Sequence, residues 1–446
     1  MANTKVSSLL AGKRSYVALF LFFNVAISYM DRVNLSVVAP TIAKQFHWDP
    51  AQMGWVFSAY IWTYAACLLP CGWLADRIGA RRTFAIAISI WSAAAMLTGA
   101  ASNIWSMIAA RLGLGIGEST SFPVCNKVVR QWFPAGERAF ATALFHSGVF
   151  VSVALSSPLV AWLSLRAGWR ASFVITGSLG FVWLLCWLRW FQPPEKCQWL
   201  PADERQLILE KRDGAPKSTG DTLDTDRQLG IGHMLGGLLR QQSMWGLALT
   251  MATVNYMNYL FLTWLPSYLV QARGMNLMRA GFFSSIPYIA GIIMEIVFGK
   301  LSDRALTPER LKQGGRRNQV AILIVLSSVI LLINIAHSDA AAIAVISMAL
   351  ACNTTVIALL YALTSDLIED PKTTGTVFGI VVLGGNLFGL LAPIVTGYIV
   401  RATGSFNSAF AISGALSLMG ASIAFMFTRR PITGPVQTEI GEPVLR

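Results

Sequence analysis

The chain has 446 residues, of which 54% are hydrophobic and only 13% are charged, and its formal net charge is +13. Soluble domains carry about 25% charged residues, so this composition indicates an integral membrane protein. The basic residues lie in short loops between apolar segments rather than on one patch, which argues against nucleic-acid binding. The six cysteines show no metal-type spacing, so we expect neither a metal site nor a disulfide framework.

Twelve mainly apolar windows reach the length of about 20 residues that a membrane-spanning helix needs. They lie at 16–38, 51–75, 82–101, 104–127, 138–163, 170–191, 243–270, 279–302, 318–337, 340–364, 374–400 and 406–428. The polar interval between them predicts an all-α membrane protein divided into an N-terminal six-helix bundle at 1–192, a cytoplasmic linker at 193–242, a C-terminal six-helix bundle at 243–430 and a cytoplasmic tail at 431–446.

The distribution of basic residues predicts the orientation of these spans. With the N-terminus inside, most Lys and Arg residues fall in inside loops and few fall in outside loops, as the positive-inside rule requires. We therefore expect both termini to be cytoplasmic. The first apolar segment carries Asp31 and Arg32, and no small-residue cleavage site follows it, so we interpret it as a retained span.

Four ionisable residues lie inside the first and fourth predicted spans. Asp31 and Arg32 are adjacent in the first, whereas Arg111 and Glu118 are seven residues apart in the fourth. Seven residues make about two helical turns, so Arg111 and Glu118 share one face of their helix. A charge in hydrocarbon costs several kcal/mol, and such residues by default indicate a substrate or proton site.

A glycine, aspartate and arginine motif occurs twice in the chain. The loop after the second span reads Gly-Trp-Leu-Ala-Asp-Arg-Ile-Gly-Ala-Arg-Arg over 72–82, and a shorter copy, Gly-Lys-Leu-Ser-Asp-Arg over 299–304, follows the eighth span. The glycine, the aspartate and the arginine all recur at one constant offset in numbering. Two parallel copies of a six-span bundle, with a site between them near the midplane, form a transporter architecture. We assign a gating role to Gly72, Asp76, Arg77, Gly79, Arg81, Asp303 and Arg304.

An acid at a helix end beside a row of arginines can form charge-assisted hydrogen bonds to a neighbouring helix end and so latch one conformation. The alternative is an ordinary positive-inside loop. Residues 72–82 also resemble the signature loop of the major facilitator superfamily. Within that superfamily the chain resembles the anion:cation symporter family, especially its bacterial transporters for galactonate, glucarate and hexuronates. This second resemblance is carried by 29–36, 54–60, 111–118, 131–138, 263–268 and 397–406.

The resemblance implies two six-helix bundles related by pseudo-two-fold symmetry in the inner membrane. It implies a secondary transporter rather than an enzyme, and an organic anion as substrate. The proton is then the coupling ion, with no bound cofactor. We expect a monomer whose partners are the substrate and the lipid bilayer.

The arginines are the predicted anion site. A guanidinium is charged at any working pH and can bind a carboxylate through two parallel hydrogen bonds, so Arg32 or Arg111 would hold the substrate. The resemblance implies that Tyr29 and Tyr64 join them. A merely structural reading, in which Asp31 pairs with Arg32 and Arg111 with the acid of its own span, is weaker because desolvation can exceed the Coulombic gain.

The acids are the predicted proton site. Burial favours the neutral form of a carboxyl group, whereas a nearby arginine favours the charged form. Protonation of Asp31 or Glu118 would thus depend on whether the substrate anion occupies the arginine. The resemblance implies the same role for both acids.

The second half offers uncharged polar groups in place of these charges. Adding the numbering offset between the two motif copies to Asp31 gives Asn258. We therefore expect polar side chains of the second half to shape the pocket, foremost Asn255, Asn258 and Asn386, together with Tyr256, Tyr259, Tyr288, Asn353, Thr354 and Thr355. Glu295 and His146 are also ionisable and lie within spans. We interpret both as structural contacts rather than functional groups.

Three positions depart from the sugar-acid pattern. Val149 stands where those transporters carry glutamine, and Met251 and Val382 replace polar residues. Fewer hydroxyl partners suit a less hydroxylated acid. Import of a sugar acid with protons is favoured, while import of another aliphatic or aromatic carboxylate and proton-antiport export remain alternatives. A membrane sensor or enzyme is disfavoured because the largest polar interval, the linker, is too short to hold a soluble catalytic or signalling domain.

Overall fold

The computed structural model describes residues 12–134, 137–213, 231–305, 315–370 and 373–433. Its regular structure within these ranges is helical, apart from an isolated parallel bridge between Ile368 and Ile432. The first half contains α1 Arg14–Phe46, α2 Pro50–Ile78, α3 Ala80–Ala100, α4 Ile104–Glu118, α5 Ser121–Trp132, α6 Arg138–Ala167 and α7 Trp169–Trp190. Two short helices follow in the linker, α8 Ala202–Asp213 and α9 Ile231–Leu239.

The second half repeats this plan. It contains α10 Gln242–Gln271, α11 Leu277–Ala305, α12 Arg316–Ser327 with a 3₁₀ continuation Ser328–Ile335, α13 Asp339–Leu367, α14 Thr374–Gly389, α15 Leu391–Thr403 and α16 Asn407–Phe427. The first and last residues of α11 follow those of α2 at the same spacing in numbering that separates the two copies of the motif. The offset therefore holds for whole helices.

Nine described helical stretches are long and apolar enough to cross a membrane, among them α12 with its 3₁₀ continuation and α14 together with α15. A tenth is α2 when its two parts, bent by 51°, are counted as one span. The other two predicted windows are filled by helices of a different kind. The window 104–127 is divided between α4 and α5, which break immediately after Glu118, and the window 243–270 is α10, which carries several Asn and Tyr side chains. These two exceptions supply polar groups to the interior. The predicted all-α membrane fold is confirmed.

We call the end where α1 begins, α7 ends and α10 begins the linker end, and the opposite end the distal end. At the distal end, glycines bring the two halves into backbone contact. A Cβ on Gly54 of α2 would lie 2.6 Å from the carbonyl oxygen of Pro393 in α15. Gly397 of α15 packs in the same way against the backbone of Pro50. A side chain at either glycine would force the helices apart.

Polar contacts reinforce this distal junction. Asp49 pairs with Arg401 at 3.4 Å, and the Trp55 indole donates to the Tyr398 hydroxyl at 3.4 Å. The Ser58 hydroxyl donates to the carbonyl oxygen of residue 390 at 2.7 Å. The described helices of the two halves are therefore joined closely at the distal end.

Candidate functional site

The centre of the candidate site is a buried ion pair between α1 and α4. Arg32 Nε donates to Glu118 Oε2 at 2.8 Å, and the two side chains are only 5% and 0% exposed. Burial in a low-dielectric interior strengthens such a pair but also makes either partner costly if the other is lost. Arg32 Nη2 and Glu118 Oε1 have no hydrogen-bond partner among the described residues, so both atoms can still form a hydrogen bond to a ligand.

Three tyrosines enclose the guanidinium of Arg32. Its central carbon lies 4.1 Å from the ring centre of Tyr29, 4.8 Å from that of Tyr60 and 5.0 Å from that of Tyr64. Rings at this distance attract a cation through their quadrupole. The aromatic box holds the arginine in one place and excludes water from its faces.

Asp31 and Arg111 complete the charged group without forming a direct pair. Asp31 is 1% exposed, and neither carboxylate oxygen has a hydrogen-bond partner among the described residues. Arg111 Nη1 lies 3.5 Å from the backbone carbonyl oxygen of Asp31, and its guanidinium is 5.6 Å from the ring centre of Tyr60. Both arginines are thus close to the ring of Tyr60, whose own buried hydroxyl has no described partner.

The pairing differs from the structural alternative considered above. Adjacent residues on a helix point about 100° apart, so Asp31 and Arg32 cannot face each other. Arg32 of α1 instead pairs with Glu118 of α4, and Arg111 has no ion pair among the described residues. The pairs Asp31–Arg32 and Arg111–Glu118 of that disfavoured alternative are therefore not formed among the described residues.

The second half contributes uncharged polar groups opposite this cluster. The Tyr259 hydroxyl donates to Asn386 Oδ1 at 3.1 Å, and Asn386 Nδ2 donates to the carbonyl oxygen of Val382 at 3.0 Å. Tyr259 also packs against the apolar cluster that includes Tyr60 and Tyr64. The Tyr259–Asn386 pair therefore approaches the aromatic box from the other half.

The other two predicted asparagines are less closely tied to the site. Asn255 lies beside Gly385, where a Cβ would be 2.8 Å from its Nδ2 atom. It is on the same helix, α10, as Tyr259 and one turn before it. Asn258 is half-buried on α10, and no described contact joins it to the charged cluster.

The predicted gating loop has a partner that sequence reasoning missed. Asp76 pairs with Lys127 of α5 at 2.8 Å, and the same ammonium donates to the carbonyl oxygen of Ala75. Gly79, at φ +82°, adopts a backbone conformation that side chains rarely tolerate and turns the chain between α2 and α3. The side chains of Asp303 and Arg304 lie outside the described ones.

Two of the loop arginines have aromatic or backbone partners. The guanidinium of Arg77 lies 5.2 Å from the ring centre of Trp73, and Arg81 donates to the carbonyl oxygen of Leu188 at the end of α7. Gly72 lies near Pro123 of α5, at ordinary contact distance for an added Cβ.

One further residue of this cluster, Tyr60, was not predicted as a site residue. It precedes Tyr64 by one helical turn, so the shared face of α2 could have revealed it. Tyr259 was among the polar residues expected to shape the pocket, but its contact with Asn386 depends on how α10 and α14 pack. Of the remaining ionisable groups, His146 stacks on Phe122 and Phe145, whereas the buried Oε2 atom of Glu295 has no described partner.

The family description "Major Facilitator Superfamily" matches residues 21–314 and 309–444, which together cover most of the chain. This chain belongs to the Major Facilitator Superfamily. Its relatives include transporters named for galactonate, galactarate/D-glucarate and hexuronate, and the protein is a transporter rather than an enzyme.

Three relatives illustrate the range. The chain is 33% identical over 440 residues to the probable galactarate/D-glucarate transporter of Bacillus subtilis (strain 168), covering 96% of this chain and 94% of the relative. It is 31% identical to the D-galactonate transporter of Escherichia coli O6:H1, covering 92% and 94%. It is 32% identical to the probable sulfoacetate transporter of Cupriavidus necator, covering 91% and 92%.

A solved structure supports the superfamily fold. The bacterial homologue of the human lysosomal transporter Spinster, described as inward-facing and unoccupied, superposes with a TM-score of 0.70. The identity is 19%, and the alignment covers 93% of this chain and 97% of that one. At this identity the likeness concerns the fold alone.

Proposed function

We propose that this superfamily member is a proton-coupled symporter that imports a small organic anion, foremost a sugar acid, across the inner membrane as a monomer. Both termini and the linker are cytoplasmic in this proposal, which makes the linker end the cytoplasmic end. The two repeated halves act as two six-helix bundles that move relative to each other around the charged cluster.

The arrangement of the four buried charges carries the proposal. Arg32 and Glu118 compensate each other, while Asp31 lacks a cationic partner and Arg111 lacks a carboxylate partner among the described residues. An unpaired buried carboxylate is far more costly as the anion than as the neutral acid. If Asp31 carries a proton, the four groups bear one net positive charge, located on Arg111.

That excess charge provides the coupling. A substrate carboxylate at Arg111 restores neutrality when Asp31 is protonated, and it is disfavoured when Asp31 is charged. Proton and anion therefore stabilise each other's binding, and linkage makes the effect equal in both directions. Glu118 is the second proton site, because protonation there would free Arg32 for a second anionic group.

The rest of the pocket suits the polar body of a substrate. Arg32 Nη2 and the hydroxyl of Tyr60 lack described partners, so they can donate to a bound anion. On the other side, Tyr259 and Asn386 offer a hydroxyl and an amide for substrate hydroxyls. Tyr29 and Tyr64 keep Arg32 oriented.

The close distal contacts fit a conformation that is closed toward the outside. Gly54 and Gly397 would separate from the opposite half when the transporter opens outward. In the present conformation Asp76 is bound by Lys127. We propose that the gating motif exchanges this contact for one across the halves in the outward-open state.

A less hydroxylated anion is a second candidate substrate. Val149, Met251 and Val382 offer no hydroxyl partner, and the relatives of similar identity include one named for sulfoacetate as well as those named for sugar acids. All these named substrates carry a negative head group. A site for a negative group therefore fits all of these substrates, whereas the rest of the transported molecule is to be identified by screening.

Uptake by proteoliposomes tests the function. Purified protein in vesicles with an imposed inward proton gradient is expected to concentrate galactonate, glucarate or sulfoacetate, and a protonophore is expected to abolish the accumulation. Uptake that is indifferent to the gradient would show that the protein is not a proton symporter. Accumulation in response to an outward gradient would instead indicate antiport.

Single substitutions separate the proposed roles. Glu118→Gln and Asp31→Asn are expected to abolish gradient-driven accumulation but to retain exchange of labelled for unlabelled substrate across the membrane. Arg111→Ala is expected to lose both, and Arg111→Lys to recover part of the exchange. If an amide variant still concentrates substrate, its carboxylate does not carry the proton.

A further inference from the structure

An aromatic groove lies at the linker end, outside the charged site. It has a volume of about 360 Å³ and lies between the start of α1, the end of α7 and the linker segment before α8. Six of its seven lining residues are aromatic, and the seventh is a valine. They are Tyr16, Val17, Phe20, Trp187, Trp190, Phe191 and Trp199.

The floor of the groove is rigid, whereas its mouth is open. Trp187 is fully buried and stacks on Phe191, with ring centres 3.7 Å apart. Tyr16 and Trp190, by contrast, are 60% and 54% exposed. Exposed tyrosine and tryptophan at the ends of spans are typical of the membrane–water interface. The mouth therefore faces the level of the lipid head groups.

Two cations are attached to the groove wall. Lys13 Nζ donates to the carbonyl oxygen of Trp199 at 3.4 Å. Arg81 accepts a hydrogen bond from the Trp187 indole at its own carbonyl oxygen, and its guanidinium donates to the carbonyl oxygen of Leu188. Both cations are exposed, so they are free to meet an anion from the bilayer.

The acid nearest Lys13 does not cancel this charge completely. Glu204 accepts from the backbone amides of Lys13 and Arg14 at 3.0 and 3.1 Å and lies 3.7 Å from the Arg14 guanidinium. Arg14 pairs with Glu137 as well, at 3.0 Å. The acids therefore engage Arg14 and the helix start, and the ammonium of Lys13 remains directed toward Trp199.

We propose that this groove binds a phospholipid with an anionic head group from the leaflet at the linker end. One acyl chain would lie on the aromatic floor, and the phosphate would lie between Lys13 and Arg81. Apolar burial supplies affinity for any lipid, while the two cations supply a preference for a negative head group. The inference concerns a face outside the substrate site and does not depend on which anion is transported.

Lipid retention by the purified full chain tests the proposal. After delipidation, the protein is titrated with phosphatidylglycerol or phosphatidylcholine, and bound lipid is counted by native mass spectrometry. Phosphatidylglycerol is expected to bind more tightly. Trp190→Ala and Lys13→Gln are each expected to weaken its binding, the tryptophan variant by roughly tenfold, as loss of a large apolar contact predicts.

Matched variants at the distal end serve as controls. Trp105 is 75% exposed at the start of α4, and Lys44 lies in the last turn of α1, the helix that Lys13 precedes. Trp105→Ala and Lys44→Gln are expected to leave phosphatidylglycerol binding unchanged. Equal losses in these variants would show nonspecific lipid contact and overturn the proposal, as would equal binding of the two lipids.

Two other occupants are distinguished by the same experiment. If lipid binds only after residues 2–11 are deleted, the chain's own N-terminus fills the groove and the proposal is wrong. If the delipidated protein is dimeric and Trp190→Ala makes it monomeric without changing lipid binding, a second copy is the occupant. Because Trp190→Ala leaves the charged site intact, failure of this proposal leaves proton-coupled uptake untouched.

Discussion

The two halves of this transporter share one helical plan but differ in the chemistry of their interiors. The first half buries Asp31, Arg32, Arg111 and Glu118 together, whereas in the described second half the buried charged residue, Arg316, lies in the first turn of α12 and Glu295 of α11 is half-buried. The same fold can therefore be built with or without charges in its interior. The charges are not needed to hold the helices together, which supports their assignment to function.

The halves also differ in what a substitution should do. In the first half, removal of Arg32 or Glu118 leaves the other buried charge without its partner, so both folding and transport suffer. In the second half, removal of an uncharged group loses at most a hydrogen bond and alters selectivity. The predictions below test this difference, beginning with the largest effect.

The strongest effect is expected at the Arg32–Glu118 pair. Arg32→Ala leaves the Glu118 carboxylate buried without its cation and is expected to lower the free energy of unfolding by about 3–5 kcal/mol. The double variant with Glu118→Gln removes both charges and is expected to recover most of that stability without recovering transport. Thermal unfolding in detergent measures the stability of each variant, and proteoliposome uptake measures its transport. Equal stability of single and double variants would contradict a charge-based explanation.

The distal junction should be nearly as sensitive, because it joins the halves rather than belonging to one. Gly54→Val would place a side chain where even a Cβ lies 2.6 Å from the Pro393 carbonyl oxygen. The variant is expected to hold the distal end open and reduce uptake at least tenfold while substrate binding persists. Cysteine labelling of the distal end measures the opening. Gly379→Val, where an added Cβ meets nothing within 4 Å, is the matched control.

A smaller effect is expected in the second half. Tyr259→Phe removes the hydrogen bond to Asn386, which is worth about 1 kcal/mol, so the KM for a hydroxylated substrate should rise about fivefold. The proton gradient should still drive accumulation, since the first-half charges are intact. Tyr361→Phe, which alters another hydroxyl of the second half, shows whether the loss is specific to the Asn386 contact. Loss of proton coupling in Tyr259→Phe would contradict the assignment of proton coupling to the first half alone.

The smallest expected effect is a change of preference at Val149. Val149→Gln restores the residue type of the sugar-acid pattern and adds a hydrogen-bonding group, so uptake of galactonate should increase relative to sulfoacetate by a few fold. Competition between the two anions in one uptake assay measures the ratio. A ratio that does not move would place the choice of substrate elsewhere in the pocket.

Much of the fold followed from the sequence because its signals are local. Apolar windows predicted the spans, and the constant offset between the two motif copies holds for α2 and α11 as complete helices. The break in the fourth span was not predicted. It follows Glu118, where Ser119 and Thr120 hydroxyls bond to backbone carbonyls of the preceding turn instead of continuing an apolar helix.

The sequence by itself determined which ionisable residues lie within the membrane, because charge and hydropathy are properties of single residues and short windows. It did not determine their partners. Arg32 meets Glu118 from a distant part of the chain, and both Arg32 and Arg111 approach the ring of Tyr60, only because α1, α2 and α4 pack with particular rotations about their axes. Those rotations depend on side-chain packing over whole helices, so the tertiary structure alone decided that Arg32 pairs with Glu118 and that Asp31 and Arg111 are left without a charged partner among the described residues.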